Sequence, residues 1–121
     1  MAAYAGVVSV LSHMSRPPVP RPLEVAFGSF GLHVVEFAIF ASLLYLALAR
    51  TRPRWSLVAL VLTTIAGTAA FGVVDEFHQS FIPGRYCQAT DVLADTLGGI
   101  LASLLLTVRR QRSQRLISVL L

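Results

Sequence analysis

Residues 55–74, WSLVALVLTTIAGTAAFGVV, form an apolar run without a single charged side chain. An α-helix needs about 20 such residues to cross a hydrocarbon core about 30 Å thick. Two more segments qualify. Residues 30–49 carry His33 and Glu36, and residues 89–108 carry Asp91 and Asp95. The three segments predict an integral membrane protein.

The composition of the 121-residue chain supports lipid as its solvent. Hydrophobic residues make up 55% and charged residues 13%, whereas soluble domains carry about 25% charged residues. The mean hydropathy is +0.71. The net charge is +4 and all basic residues are Arg, but they lie mainly between apolar runs. We therefore expect the lipid bilayer, and no nucleic acid, as a partner.

The predicted fold is all-α: one domain over residues 1–121, built as a bundle of about four transmembrane helices. The first helix is short, because Met1 to Ser12 spans only about 18 Å. Residues 15–22, SRPPVPRP, hold four prolines and predict an extended connection. The basic tail is expected either on the membrane surface or frayed. The expected helices are about 1–13, 30–50, 55–78 and 89–109, and the tail is 109–121.

The arginines predict how the chain is oriented. Three lie in the short loop at 50–54, and four follow the last span in the tail. Because loops rich in Arg stay in the cytoplasm, we expect a multi-pass membrane protein with these two regions on the cytoplasmic side. Its N- and C-termini would be inside and its loops 13–29 and 75–88 outside. No cleavable signal peptide is evident.

Polar residues of three predicted helices converge on one depth, in the outer half of the membrane. By helix rise, Glu36 and Asp95 each lie about 9 Å inside the outer boundary. Asp91 and Asp95 are four apart and share a face with Gly98 and Ala102. Another face carries Thr64, Thr68, Asp75 and Gln79, with Gly72 beside it. The candidate site residues are His33, Glu36, Asp75, Glu76, Gln79, Arg85, Asp91 and Asp95.

Two interpretations of these residues compete. Polar groups in membrane bundles often serve only as hydrogen bonds between helices. So many carboxylates in lipid, however, require protons, cations or water, which favours a functional site; Arg85 is the expected cationic partner. His33, Glu36, Glu76 and His78 are metal-ligand types, but their spacing matches no recognised motif. We therefore expect neither a metal nor a cofactor.

A longer pattern carries a family resemblance. Residues 75–102, DEFHQSFIPGRYCQATDVLADTLGGILA, resemble the VanZ-like family of bacterial membrane proteins. The shared features are Glu76 three before Gln79, the Pro-Gly-Arg at 83–85, and then Asp91, Asp95 and Gly98. Residues 32–48 and 9–20 are similar to the family as well. Asp95 and Ala102 stand where Asn and Gly are common.

The resemblance implies a cell-envelope protein of a bacterial cytoplasmic (inner) membrane, since the family is named for a protein associated with teicoplanin resistance. We expect an outward-facing polar site that binds or modifies a cell-wall or lipid-linked component. In that site, Glu76 is a candidate acid or base. Arg85 is a candidate for binding a phosphate or carboxylate group of the component. Whether a reaction is catalysed stays open. The alternative is a non-enzymatic membrane scaffold. A transporter is disfavoured, because the inner half of the predicted bundle is apolar.

Overall fold

Four α-helices appear in the computed structural model, which describes residues 2–12, 21–84 and 86–120. In chain order they are α1 (Ala2–Ser12), α2 (Arg21–Thr51), α3 (Leu57–Gln79) and α4 (Ala89–Leu120). These ranges contain no strand. The predicted all-α class is confirmed.

Three of the helices are long and apolar enough to cross a membrane, namely Gly28–Thr51, Leu57–Gln79 and Ala89–Leu120. Their outward side chains are apolar: Val35 of α2, Leu62 of α3 and Leu93 of α4 are 47%, 61% and 65% exposed. Such a surface suits contact with lipid tails. The 11 residues of α1 extend only about 16 Å, which is too short for an ordinary span. The prediction of a short first helix is confirmed.

The start of α2 differs from the expectation. Helix was predicted from about residue 30, whereas the structure has it from Arg21, with a break at Gly28. Pro22 is compatible with this start because the first turn of a helix has no partners for its N–H groups. Gly28 has φ 61° and ψ −179°, a conformation that is essentially restricted to glycine. The predicted extended connection is therefore wrong at Arg21 and Pro22, and its remainder lies outside the described residues.

The C-terminal tail is also more regular than expected. A frayed segment after residue 109 was one of two alternatives, but α4 continues as a helix to Leu120. Residues 109–120, RRQRSQRLISVL, contain neither Pro nor Gly, and Arg, Gln and Leu are good helix formers. The helix therefore has no local reason to stop at the last predicted membrane residue.

α4 holds the bundle together, since it packs extensively against both α2 and α3. α2 and α3 contact each other less, and α1 adds only a small contact with each of them. Phe37, Phe40 and Tyr45 are buried on α2. The ring of Phe40 stacks on Phe71 of α3, with 4.6 Å between centroids and 8° between planes. Aromatic packing thus fills the middle of the bundle.

Gly98 fixes how closely α2 and α4 approach. A Cβ atom at this position would lie 2.5 Å from the Val34 carbonyl oxygen and 2.8 Å from the Ala38 nitrogen. Both are backbone atoms, so they cannot rotate away. The small-residue face predicted for the last helix is confirmed, because Gly98 and Ala102 are both buried.

Candidate functional site

A group of buried polar side chains lies at the end of the bundle where α3 ends and α4 begins. α3 contributes Asp75, Glu76 and Gln79, and α4 contributes Asp91 and Asp95. His33 of α2 contacts both α4 carboxylates. The predicted convergence of three helices is therefore observed. We call this set the polar cluster: His33, Asp75, Glu76, Gln79, Asp91 and Asp95.

His33 joins α2 to α4. Its Nδ1 lies 2.9 Å from Asp95 Oδ1, and its Nε2 lies 3.6 Å from Asp91 Oδ2. With a proton on Nδ1, the ring donates a hydrogen bond to Asp95. The other ring nitrogen then faces Asp91. Because Asp91 and Asp95 are one helical turn apart, one imidazole reaches both carboxylates.

Asp95 is the most enclosed member of the polar cluster. It is 0% exposed, and its Oδ2 has no hydrogen-bond partner in the described part of the chain. Gly72 of α3 leaves the room for that oxygen, since a Cβ atom there would lie 2.6 Å from Asp95 Oδ2. The position of the Asp95 carboxylate thus depends on α3 as well as α2.

Glu76 fastens α3 to the segment that leads into α4. The backbone N–H of Gln88 donates to Glu76 Oε2 over 2.8 Å. Glu76 is 1% exposed, and its Oε1 is buried without a hydrogen-bond partner among residues 2–12, 21–84 and 86–120. The contact with Gln88 was not foreseen in the sequence, because a backbone donor leaves no trace in residue type.

A second carboxylate of α3 is bound locally. The side-chain amide of Gln79 donates to Asp75 Oδ2 over 2.7 Å. Both residues are buried on the face predicted for this helix, together with Thr64, Thr68 and Gly72. The Thr64 and Thr68 hydroxyls donate to carbonyls one turn earlier, those of Leu60 and Thr64. This face supplies few free donors to the neighbouring helices.

The other candidate residues lie apart from these contacts or outside the described chain. Glu36 is half-buried, and its backbone carbonyl accepts a hydrogen bond of 3.1 Å from the Tyr4 hydroxyl. His78 is half-buried in the last turn of α3. Arg85, predicted as the cationic partner of the carboxylates, lies outside the described residues. Cys87 is exposed.

Three members of the polar cluster have the arrangement of metal ligands. One ligand atom each from His33, Glu76 and Asp91 can be chosen so that all three lie within 4.8 Å of one another. The sequence had suggested His33, Glu36, Glu76 and His78 as possible ligands. The structure keeps His33 and Glu76, leaves out Glu36 and His78, and adds Asp91. Asp91 joins the set because the orientation of α4 about its axis places it opposite His33.

The helices and the buried cluster define a small all-helical membrane protein with a group of buried polar side chains at one end of its bundle. The model of the VanZ/LLP1 family matches residues 7–110, and the chain belongs to that family. The predicted resemblance is confirmed. Neither a curated protein nor a solved structure matches this chain.

Proposed function

We propose that this protein acts in the cell envelope, with its polar cluster facing the outer side of a bacterial cytoplasmic membrane. There it binds a cell-wall or lipid-linked component, and this binding underlies protection against a glycopeptide such as teicoplanin. The arginines at 50–54 and in the C-terminal part of α4 support an inside position for the opposite end of the bundle. The C-terminus is then inside, and the N-terminus is inside as well in the four-span arrangement, in which the short α1 also crosses the membrane.

The observation that carries the proposal is the surplus of acceptors in the polar cluster. Buried polar groups in proteins are nearly always hydrogen-bonded, yet Glu76 Oε1 and Asp95 Oδ2 have no such partner in the part of the chain that the structure describes. An unsatisfied buried acceptor costs about 1–3 kcal/mol. A cluster that served only to hold helices together would gain nothing from this cost. A ligand with donor groups or positive charge would remove it.

The cluster is also accessible to such a ligand. The side chains of His33 and Asp91 are 15% and 11% exposed, whereas Glu76 and Asp95 beneath them are closed off. The neighbouring residues Tyr86, Cys87 and Gln88 are exposed. An external ligand would thus meet His33 and Asp91 first.

A scaffold function is the second candidate, and the interhelical contacts favour it. His33 links α2 to α4, and Glu76 links α3 to the start of α4. In this alternative, substitutions in the polar cluster lower the amount of folded protein in the membrane. In the ligand-binding function they remove activity at normal protein levels.

The test compares the wild-type protein, the Asp91→Asn variant and an empty vector in a glycopeptide-sensitive Gram-positive host. Teicoplanin susceptibility is measured at equal membrane levels of the two proteins. Protection by the wild type but not by Asp91→Asn is the expected result. Equal protection by both would overturn the role of the cluster. Absence of protection by the wild type would overturn the link to glycopeptides.

A further inference from the structure

We propose that His33, Glu76 and Asp91 bind one divalent transition-metal ion, Zn²⁺ or Mn²⁺, at the open side of the polar cluster. The inference rests on the site of the proposed function and deepens it, because the ion would be the group that meets the envelope ligand. It revises the expectation from sequence that the protein holds no metal. The ligand set is drawn from three helices: α2, α3 and α4.

The distances suit a shared ion. Metal–ligand distances of about 2.0–2.2 Å place two ligands of one tetrahedral ion about 3.3–3.6 Å apart. His33 Nε2 and Asp91 Oδ2 are 3.6 Å apart, which is at this spacing and beyond a hydrogen bond. Glu76 completes the set, because one ligand atom from each of the three residues can be chosen so that all lie within 4.8 Å of one another. A movement of about 1 Å in the Glu76 side chain brings its ligand atom to the same spacing.

His33 is oriented as metal-bound histidines are. Such a histidine usually donates its other ring N–H to a carboxylate, which fixes the tautomer and the ring orientation. Asp95 Oδ1 accepts in this way at 2.9 Å from His33 Nδ1. The lone pair of Nε2 then points toward Asp91, and two lone pairs repel each other. A cation between the two atoms, either a proton or a metal ion, resolves this conflict.

The buried oxygen of Glu76 is the independent observation. Glu76 is 1% exposed, and its Oε1 has no hydrogen-bond partner within the described ranges. A metal ion accepts a lone pair without needing a donor hydrogen. A divalent cation would also offset the charges of Glu76 and Asp91, two of the four carboxylates in the polar cluster. This offset matters here because isolated charges are costly inside a membrane protein.

The ligand types select the class of metal. One imidazole with two carboxylates suits Zn²⁺ or Mn²⁺, whereas Mg²⁺ and Ca²⁺ prefer oxygen ligands alone. Three protein ligands leave a position open for an external oxygen, as in sites that act on ligands. The partial exposure of His33 and Asp91 leaves that position reachable. A phosphate or carboxylate group of an envelope component fits it chemically.

The experiment titrates Zn²⁺ and Mn²⁺ into purified, chelator-treated, full-length protein in detergent, by calorimetry. We expect one ion per chain, and at least a tenfold weaker affinity in Asp91→Asn and in Glu76→Gln. The matched controls are Glu36→Gln and His78→Ala, which change the two ligand types outside the proposed set. They should bind within about threefold of the wild type, a difference well below the tenfold expected of a lost ligand.

Two results would overturn the site: folded wild-type protein that binds neither ion, or binding that Asp91→Asn and Glu76→Gln leave unchanged. A second measurement does not depend on the folding of variants. Mn²⁺ bound to wild-type protein with ¹⁵N-labelled histidine should show magnetic coupling to a histidine nitrogen, and absence of coupling contradicts the proposal. Metal binding without a teicoplanin phenotype would reject the proposed function alone. A phenotype without metal binding would reject the metal alone.

Discussion

The interface between α2 and α4 has polar contacts at two levels, and they are built differently. At one level the hydroxyls of Tyr45 and Thr107 share a hydrogen bond of 3.0 Å. At the other, His33 Nδ1 lies 2.9 Å from Asp95 Oδ1. The two levels are twelve residues apart on each helix, or about 18 Å. Both contacts join the same pair of helices.

The difference between the two levels separates structure from function. The Tyr45–Thr107 contact is neutral, and Tyr45 is 2% exposed, so it fastens the helices at little electrostatic cost. The level of the His33–Asp95 contact also contains carboxylates at Asp91 and Glu76, and two of its buried oxygens have no hydrogen-bond partner among the described residues. Fastening two helices does not require these additions. In the proposed function, the Tyr45 level is structural and the polar cluster binds the ligand.

The largest expected effect on stability comes from a substitution at Gly98, which lies between the two levels on α4. Gly98→Val places a side chain against the Val34 carbonyl and the Ala38 nitrogen, so α2 and α4 must separate. We expect a loss of about 3 kcal/mol in the free energy of unfolding, measured by denaturant titration in detergent. Gly6→Ala is the control, because a Cβ there has nothing within 4 Å. Normal stability of Gly98→Val would contradict the close helix approach.

A smaller effect is expected where α3 supports the polar cluster. Gly72→Ala puts a Cβ 2.6 Å from Asp95 Oδ2, which displaces the carboxylate that orients His33. We expect a loss of about 1–3 kcal/mol in stability, together with weaker Zn²⁺ or Mn²⁺ binding by calorimetry. Gly67→Ala is a matched control on the same helix, since its Cβ meets only Leu44 Cδ2 at 2.9 Å, the end of a flexible side chain. If the two variants behave alike, Gly72 has no special role.

Removal of the neutral contact should have the smallest effect on stability. Tyr45→Phe deletes the hydroxyl that pairs with Thr107, and interhelical hydrogen bonds in membrane proteins average about 0.6 kcal/mol. Denaturant titration should show a loss of that order. Teicoplanin susceptibility of cells that express the variant should match wild type. A lost phenotype at full membrane levels would make the Tyr45 level part of the functional site.

The spans were predictable because hydropathy records which side chains face lipid. The apolar windows at 30–49 and 89–108 lie within observed helices, and the window at 55–74 begins two residues before α3. The helix ends were harder to place. The α2 start depends on the backbone conformation of Gly28, and the α4 end depends on the absence of a stop signal rather than on hydropathy.

The sequence predicted which residues of the candidate site share a helix face, but not which residues of different helices contact each other. Spacings of three and four residues placed Asp91 beside Asp95 and Asp75 beside Gln79 without any tertiary information. The pairing of His33 with Asp95 depends on how α2 and α4 rotate about their axes, which local spacing does not encode. The Glu76 contact with the Gln88 backbone depends on the path of the loop. The metal-ligand set follows from these two tertiary features.

In the proposed function, the polar cluster binds a ligand, whereas the neutral contact between Tyr45 and Thr107 only holds the helices together. The most direct measurement compares Glu76→Gln with Tyr45→Phe for both unfolding free energy and teicoplanin susceptibility at equal membrane levels. Glutamine keeps the acceptor for the Gln88 N–H while it removes a buried charge, so stability should be unchanged or higher.

We predict that Glu76→Gln loses protection without losing stability, whereas Tyr45→Phe loses a little stability and keeps protection. The contradicting result is a Glu76→Gln variant that unfolds more easily and, at matched levels of folded protein, still protects as well as wild type. The polar cluster would then be structural, like the Tyr45 level.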